Sequence, residues 1–261
     1  MIQETTQIKI NEKGSWSGWE QNFELACKAI PIENILEVIQ FLQYAHPLRV
    51  YIQFLFLTGC RVSEASKMEF EGKDSFIKGN YVFWKVGKNQ GGQWRREYLP
   101  EFFLKELADY KKQTKGMQGR LFHTEAKTMS SYFTKFIRPH LSEAWQEKAA
   151  VPHGVAIEHI LGLKCFRKTF STLCFWGFWS EYKDANIAMV LTCKRMKHST
   201  TGMTINHYID QSKRLNREKW EGSTPSQILA LAVQRSLTDF KHDPFTMKLV
   251  IENQQTRIQQ F

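Results

Sequence analysis

Six side chains, met in order along the chain, could together do chemistry on a phosphodiester: Arg61, Lys88, Lys164, Arg167, His198 and Tyr208. Five of them can donate hydrogen bonds to an anion, and the sixth carries a hydroxyl able to attack phosphorus. Cleavage by a protein hydroxyl calls for those functions. The nucleophile attacks in line, charge accumulates on the non-bridging oxygens, and planar guanidinium groups stabilise it bidentately. A positioned lysine returns a proton to the leaving 5′ oxygen. A covalent phosphotyrosine keeps the bond energy, so rejoining requires neither a nucleotide cofactor nor a metal.

Each residue also has a plainer reading by itself. Arg61 follows a glycine and could cap a helix or pair with Glu64. Lys88 could be a solvated turn lysine, with Lys85 as its competitor for any role on phosphate; Lys88 lies at the turn, where a side chain reaches outward. Arg167 could be surface charge on an amphipathic helix. His198 could be a hydrogen-bonded structural histidine, and Tyr208 a half-buried core phenol. Their order and flanking residues, rather than any one of them, carry the functional reading.

The elements that must hold these residues follow from periodicity. Ile32, Ile35, Leu36, Ile39 and Leu42 recur at helical spacing after Pro31, which suits a first turn. A second apolar helix from about Leu48 to Leu57 stops at Thr58-Gly59, and Arg61 follows the reversal. Phe76-Ile77, Lys78-Gly79-Asn80 and Tyr81–Trp84 predict strand, tight turn, strand. Gly87–Gly92 gives a second turn, and Trp94–Leu99 a third strand closed by Pro100. Apolar residues then recur at three- and four-residue intervals around 101–113, 128–147, 164–176, 184–196, 200–210, 224–238 and 245–258. The expected fold is mainly α with a small antiparallel β-sheet, an α+β domain with its sheet early in the chain.

Composition bounds the partners. The chain has 261 residues, 42% hydrophobic and 24% charged, enough for a sizeable core. Thirty-six Lys and Arg against 26 Asp and Glu give a formal charge of +10, which favours a polyanion such as double-stranded DNA. The longest apolar run, YIQFLFLTGC, is too short to span a bilayer, and the polar start MIQETTQIKI has no apolar h-region. No membrane association is expected, and the expected location is the cytosol or nucleoid of the host cell. The five cysteines form no CxxC pair, and the spacing of His153, His159 and Cys165 matches no common zinc motif, so no metal site is expected.

The flanks of the six residues resemble the tyrosine recombinase and phage integrase family. TGCRVSEA resembles its TGxRxSE box, with Arg61 as first arginine and Glu64 as the supporting acid. KVGKNQGGQWRREYLP is similar to the family's β-hairpin, whose lysine would be Lys88. LKCFRKTFSTL resembles the HxxR box with Arg167 as second arginine, MKHST resembles the GHSS box with His198, and Tyr208 in TINHYID matches the nucleophile. The likeness covers roughly residues 30–212. It implies a site-specific recombinase or integrase, carried by a mobile element or virus, that works through a 3′-phosphotyrosine as a dimer or tetramer on DNA. A type IB topoisomerase-like or telomere-resolving enzyme would share the chemistry, and a decayed DNA-binding protein would share the fold.

Two departures from the pattern stand out. Lys164 occupies the HxxR histidine position, and a lysine donates to phosphate at neutral pH rather than accepting a phenol proton. Ten positions separate His198 from Tyr208, one more than the family pattern. Lys85, Arg95, Lys168, Lys213 and Arg214 are further cations expected to touch the DNA backbone. The aromatic run FWGFW (Phe175–Trp179) is expected in the core or at a subunit contact. Residues 1–30 read as an N-terminal arm or docking segment, 31–212 as the catalytic domain, and 213–261 as a helical tail that packs on the domain or on a neighbouring subunit.

Overall fold

A computed structural model of the chain describes residues 29–86, 92–114, 119–138, 162–209 and 216–239. Lys88, Lys213, Arg214, the expected arm over residues 1–28 and the expected helix 245–258 lie outside the described residues. Helix α1 (Ile32–Phe41) buries Ile32, Ile35, Leu36, Val38 and Ile39, the face its periodicity predicts. Helix α2 (Pro47–Thr58) opens on Pro47, with the His46 ring accepting from the Leu48 amide at 3.2 Å. Every residue from Leu48 to Thr58 is buried, so α2 is the central helix around which the others pack.

Helix α2 ends where the sequence predicts. Gly59 adopts φ +55° and its amide returns to Leu55 O at 2.8 Å. A short helix α3 (Val62–Ala65) follows, pinned by the Tyr51 hydroxyl donating to Val62 O at 2.7 Å. The sheet is antiparallel in the order β1 (Ser75–Lys78), β2 (Tyr81–Lys85), β3 (Trp94–Tyr98), with Phe76 opposite Phe83 and Trp84 opposite Arg95. Helix α4 (Glu101–Gln113) lies against α2. There Glu106, buried, accepts from Arg49 Nε at 2.7 Å and from Gln53 Nε2 at 2.9 Å, while Arg49 Nη1 reaches back to Leu42 O at 2.9 Å. One removed partner would strand a charge in the core, so this pair fixes how α1, α2 and α4 meet.

Helix α5 (Ala126–Tyr132) runs into a π-helical turn, Phe133–Ile137. After it come α6 (Lys164–Tyr182), α7 (Ala185–Met196), α8 (Thr201–Tyr208), α9 (Arg217–Trp220) and α10 (Pro225–Asp239). Helix α6 runs to Tyr182, six residues past its predicted end. The FWGFW run therefore lies within the helix: Phe175 and Trp176 are buried, and Phe178 and Trp179 pack against the same core. In α10, Ile228, Leu229 and Ala232 join that core, and Glu33 of α1 accepts from Trp220 Nε1 at 3.0 Å. The described part of the tail thus packs on its own chain. The described residues are mainly helical with one three-stranded antiparallel sheet, and no described helix is long and apolar enough to cross a membrane.

Candidate active site

The C-terminal end of α2 organises the site. A helix end presents unpaired carbonyls and the negative end of the helix dipole, both of which attract cations. Two arginines converge there from opposite sides. From α6, Arg167 Nη1 donates to Gly59 O, and from β3, Arg95 Nη1 donates to the same oxygen at 3.3 Å and Nη2 to Thr58 O. Immediately beyond, Arg61 holds the N-cap of α3. Its backbone amide donates to Glu64 Oε2 at 2.9 Å and its Nη1 to Glu64 Oε1 at 2.7 Å. Burial pushes the Glu64 carboxyl upward, but those two bonds and the field of Arg167 outweigh it and hold the group below its ordinary value. Glu64 is therefore an ionised clamp on Arg61.

Arg167 is 4% exposed and spends three of its five N–H groups on protein. Besides Gly59 O, Nη2 donates to Met196 O at 3.2 Å and to His198 Nε2 at 2.9 Å. Its Nε is buried without a hydrogen-bond partner among the described residues. Burial, reinforced by the Arg95 charge, lowers the guanidinium to about 10, so it stays protonated at neutral pH. His198 Nδ1 lies 2.8 Å from Thr204 Oγ1, one turn before Tyr208 on α8. The Tyr208 ring stacks on the His198 ring with centroids 4.3 Å apart and lies under the Arg167 guanidinium at 5.1 Å. Thr172 of α6 donates to Tyr208 O at 3.4 Å and so holds the end of α8 to α6.

Tyr208, Arg61 and Arg167 line one cleft of about 680 Å³. Its other cations are Lys164 and, one turn further along α6, Lys168, with Lys127 from α5, and no carboxylate lines it among the described residues. Gly162, Leu163 and Lys164 bring the positive end of the 19-residue helix α6 to the same wall. Cys60 also lines the cleft, but burial pushes its thiol up to about 12, so it is not a thiolate at neutral pH. What the cleft can do is bind an anion at a point where a phenol is already seated.

Of the six residues singled out by sequence, five are described. Arg61, Lys164, Arg167 and Tyr208 line the cleft, and His198 lies behind Arg167, 8% exposed. Lys168, expected on the DNA backbone, is 6% exposed and on the cleft wall. Lys85 is on the outer face of the sheet, bonded to Asp74 at 2.8 Å and over the Trp94 ring at 5.3 Å. Arg95 corrects the expectation of a backbone contact. It is 3% exposed, because β3 alternates with Trp94, Arg96 and Tyr98 outward and Arg95 and Glu97 inward. Its charge is met by the carbonyls ending α2, by Glu97 at 3.1 Å and by the Trp84 ring at 4.9 Å.

Sequence reasoning missed Lys127, Ser130 and Thr134, which supply the cleft wall opposite α6. Their helix was predicted, but nothing local distinguishes them from solvated polar positions. Thr204 and Glu97 were missed as well. Glu97 accepts from Arg95 and, at 2.7 Å, from Arg195 of α7, so it ties the sheet to the helix that leads into His198.

No protein-family model matches this chain, and no curated protein does. Among solved structures it is similar to the XerA recombinase, at 16% identity and a TM-score of 0.49, covering 74% of this chain and 62% of that one. It is also similar to the XerH site-specific recombinase bound to palindromic difH substrate in a post-cleavage complex, at 17% identity and a TM-score of 0.45, over 74% of this chain and 53% of that one. The pre-cleavage XerH complex with difH gives 18% identity and a TM-score of 0.44, over 70% and 50%. The chain thus spans between half and two thirds of the length of the recombinases it resembles.

Proposed function

We propose that the protein is a DNA strand-breaking and rejoining enzyme of the tyrosine recombinase type, with Tyr208 as nucleophile. One observation carries the reading: the Tyr208 ring packs against both His198 and Arg167 on the wall of a cleft lined by Arg61, Lys127, Lys164, Arg167 and Lys168. The scissile phosphate of a duplex enters this cleft. Arg61 and Arg167 stabilise the charge that grows on its non-bridging oxygens, and Lys164 and Lys168 neutralise the neighbouring backbone. Tyr208 Oη bonds to phosphorus as the bond to the 5′ oxygen breaks. The phenol proton passes to solvent, and a lysine, assigned by resemblance to Lys88, donates one to the 5′ oxygen. The resulting 3′-phosphotyrosine is reversed by attack of a 5′ hydroxyl, and attack by one from a second duplex amounts to recombination. Homo-oligomers form on DNA for exchange.

A nicked suicide duplex tests this proposal. Loss of the 5′ fragment should trap a covalent protein–DNA adduct, absent in Tyr208→Phe while binding persists. Binding with no adduct from the wild-type chain would leave a DNA-binding protein without strand-transfer chemistry. Exchange between two duplexes, against relaxation of a supercoiled circle, separates recombination from topoisomerase-like action.

A further inference from the structure

The hydrogen bonds around His198 fix its tautomer, and the tautomer they fix is the wrong one for a phosphate. Arginine only donates, so the 2.9 Å contact from Arg167 Nη2 makes His198 Nε2 an acceptor. Nδ1 then carries the proton and donates to Thr204 Oγ1 at 2.8 Å, while the Thr204 hydroxyl donates onward to Thr200 O at 3.5 Å. The ring is neutral, with its bare nitrogen turned toward Arg167. A phosphate gripped bidentately by a guanidinium uses either Nε with Nη2 or Nη1 with Nη2. Both grips need an Nη2–H, and both Nη2–H groups are already committed, to Met196 O and to His198. Met196 O belongs to the last turn of α7 and cannot turn away, whereas a ring nitrogen can exchange roles. Once a phosphate oxygen takes that hydrogen bond, it faces the lone pair of Nε2, an acceptor against an acceptor.

We propose that Thr204 is a positioning residue that lets His198 switch tautomer when a phosphate docks. The inference rests on the cleft being a phosphate site. In the free protein, Thr204 accepts from Nδ1–H. In the phosphate-bound protein, its hydroxyl reverses and donates to a bare Nδ1, and Nε2–H donates to the phosphate oxygen. One proton leaves Nδ1 for solvent and one arrives at Nε2 from solvent, so the ring stays neutral and no net proton is taken up. The bond to Thr200 O given up in the reversal is the longest of the three that link Arg167, His198, Thr204 and Thr200, at 3.5 Å. A hydroxyl can play both parts and a methyl neither. Neutrality follows from the Arg167 contact itself: a guanidinium N–H that donates to Nε2 leaves that nitrogen without a proton.

Nitrogen-15 NMR of the imidazole in the full chain tests this directly, with Tyr208→Phe as the background to prevent turnover. The free protein should show protonated Nδ1 and bare Nε2. Saturation with inorganic phosphate, followed independently by phosphorus-31 line broadening, should exchange the two signals. Thr204→Val should lose the Nδ1–H preference in the free protein and, in the chain that keeps Tyr208, slow adduct formation about tenfold, the effect of one buried polar group left unpaired. Thr204→Ser should restore both. Phosphate binding with His198 unchanged, or with both nitrogens protonated, overturns the switch. A Thr204→Val chain that retains the wild-type tautomer does so as well. Failure of phosphate to bind at all overturns instead the reading of the cleft, on which the switch depends.

Discussion

Replacing Gly59 by alanine tests whether the end of α2 is what holds the site together. Two effects add. Gly59 has φ +55°, a conformation that costs an alanine roughly 1–2 kcal/mol. A Cβ there would lie 2.2 Å from Phe170 Cδ1 and 2.5 Å from Cγ, and Phe170 is fully buried. The ring must move in a packed core, at roughly 1–3 kcal/mol. The central expectation is about 3 kcal/mol, which lowers Tm by roughly 6–12 °C for a chain of this size. Thermal and urea unfolding give the loss. Phe170→Leu in the Gly59→Ala background should recover the packing part and leave the backbone part, so the two changes should be non-additive by about 1–3 kcal/mol. Adduct yield should fall even where the variant is folded, because Phe170 lies one turn from Arg167, whose guanidinium is held by the Gly59 carbonyl. A variant within about 0.5 kcal/mol of wild type, or strict additivity with Phe170→Leu, refutes the reasoning.

Two further outcomes are expected. Glu97→Ala leaves the buried Arg95 without its carboxylate and cuts the tie to Arg195, so it should destabilise the fold by about 3–5 kcal/mol in urea unfolding, whereas Arg195→Ala, half-exposed, should cost far less. Glu64→Gln should change how stability depends on acid. The folded Glu64 carboxyl sits below its unfolded value, so the unfolded chain binds that proton first. The stabilisation is thus present above about pH 4.3 and is lost as pH falls through the folded value. The stability gap between wild type and Glu64→Gln should narrow on acidification below about pH 4.3, and a gap that stays constant down to pH 3 counts against an ionised clamp.

Much of the scaffold was legible because periodicity reports which face is buried. The spacing in α1, the Thr58-Gly59 stop of α2 and the Lys78-Gly79-Asn80 turn each encode a local geometry in local residues. Arg61, Lys164, Arg167 and Tyr208 were legible as a set in order, and the fold brings them to one cleft. Arg95 was not, because β3 inverts the usual pattern: its aromatics Trp94 and Tyr98 face outward and its charges Arg95 and Glu97 face inward. The partners that make this possible, Thr58 O and Gly59 O, lie 37 and 36 residues away and are backbone atoms, invisible in composition. Thr204 was illegible for a related reason. A threonine inside a helix has no meaning until the ring it touches, and the proton on that ring, are known. Lys127 belongs to a helix whose cleft-facing side is defined only by α6 opposite.

The carbonyl of Gly59, shared by Arg95 and Arg167, has a practical consequence for anyone surveying this protein's cations one by one. Such a survey would register Arg95→Ala as a loss of DNA affinity and rank it beside the cleft lysines. Yet Arg95 is sealed from solvent, and the loss would reach the nucleic acid second-hand, through an oxygen left with one arginine where it had two. The two kinds of loss part company in salt. Removing the exposed Lys164 should flatten the dependence of affinity on salt concentration by about one counterion, whereas removing Arg95 should lower affinity with the slope preserved.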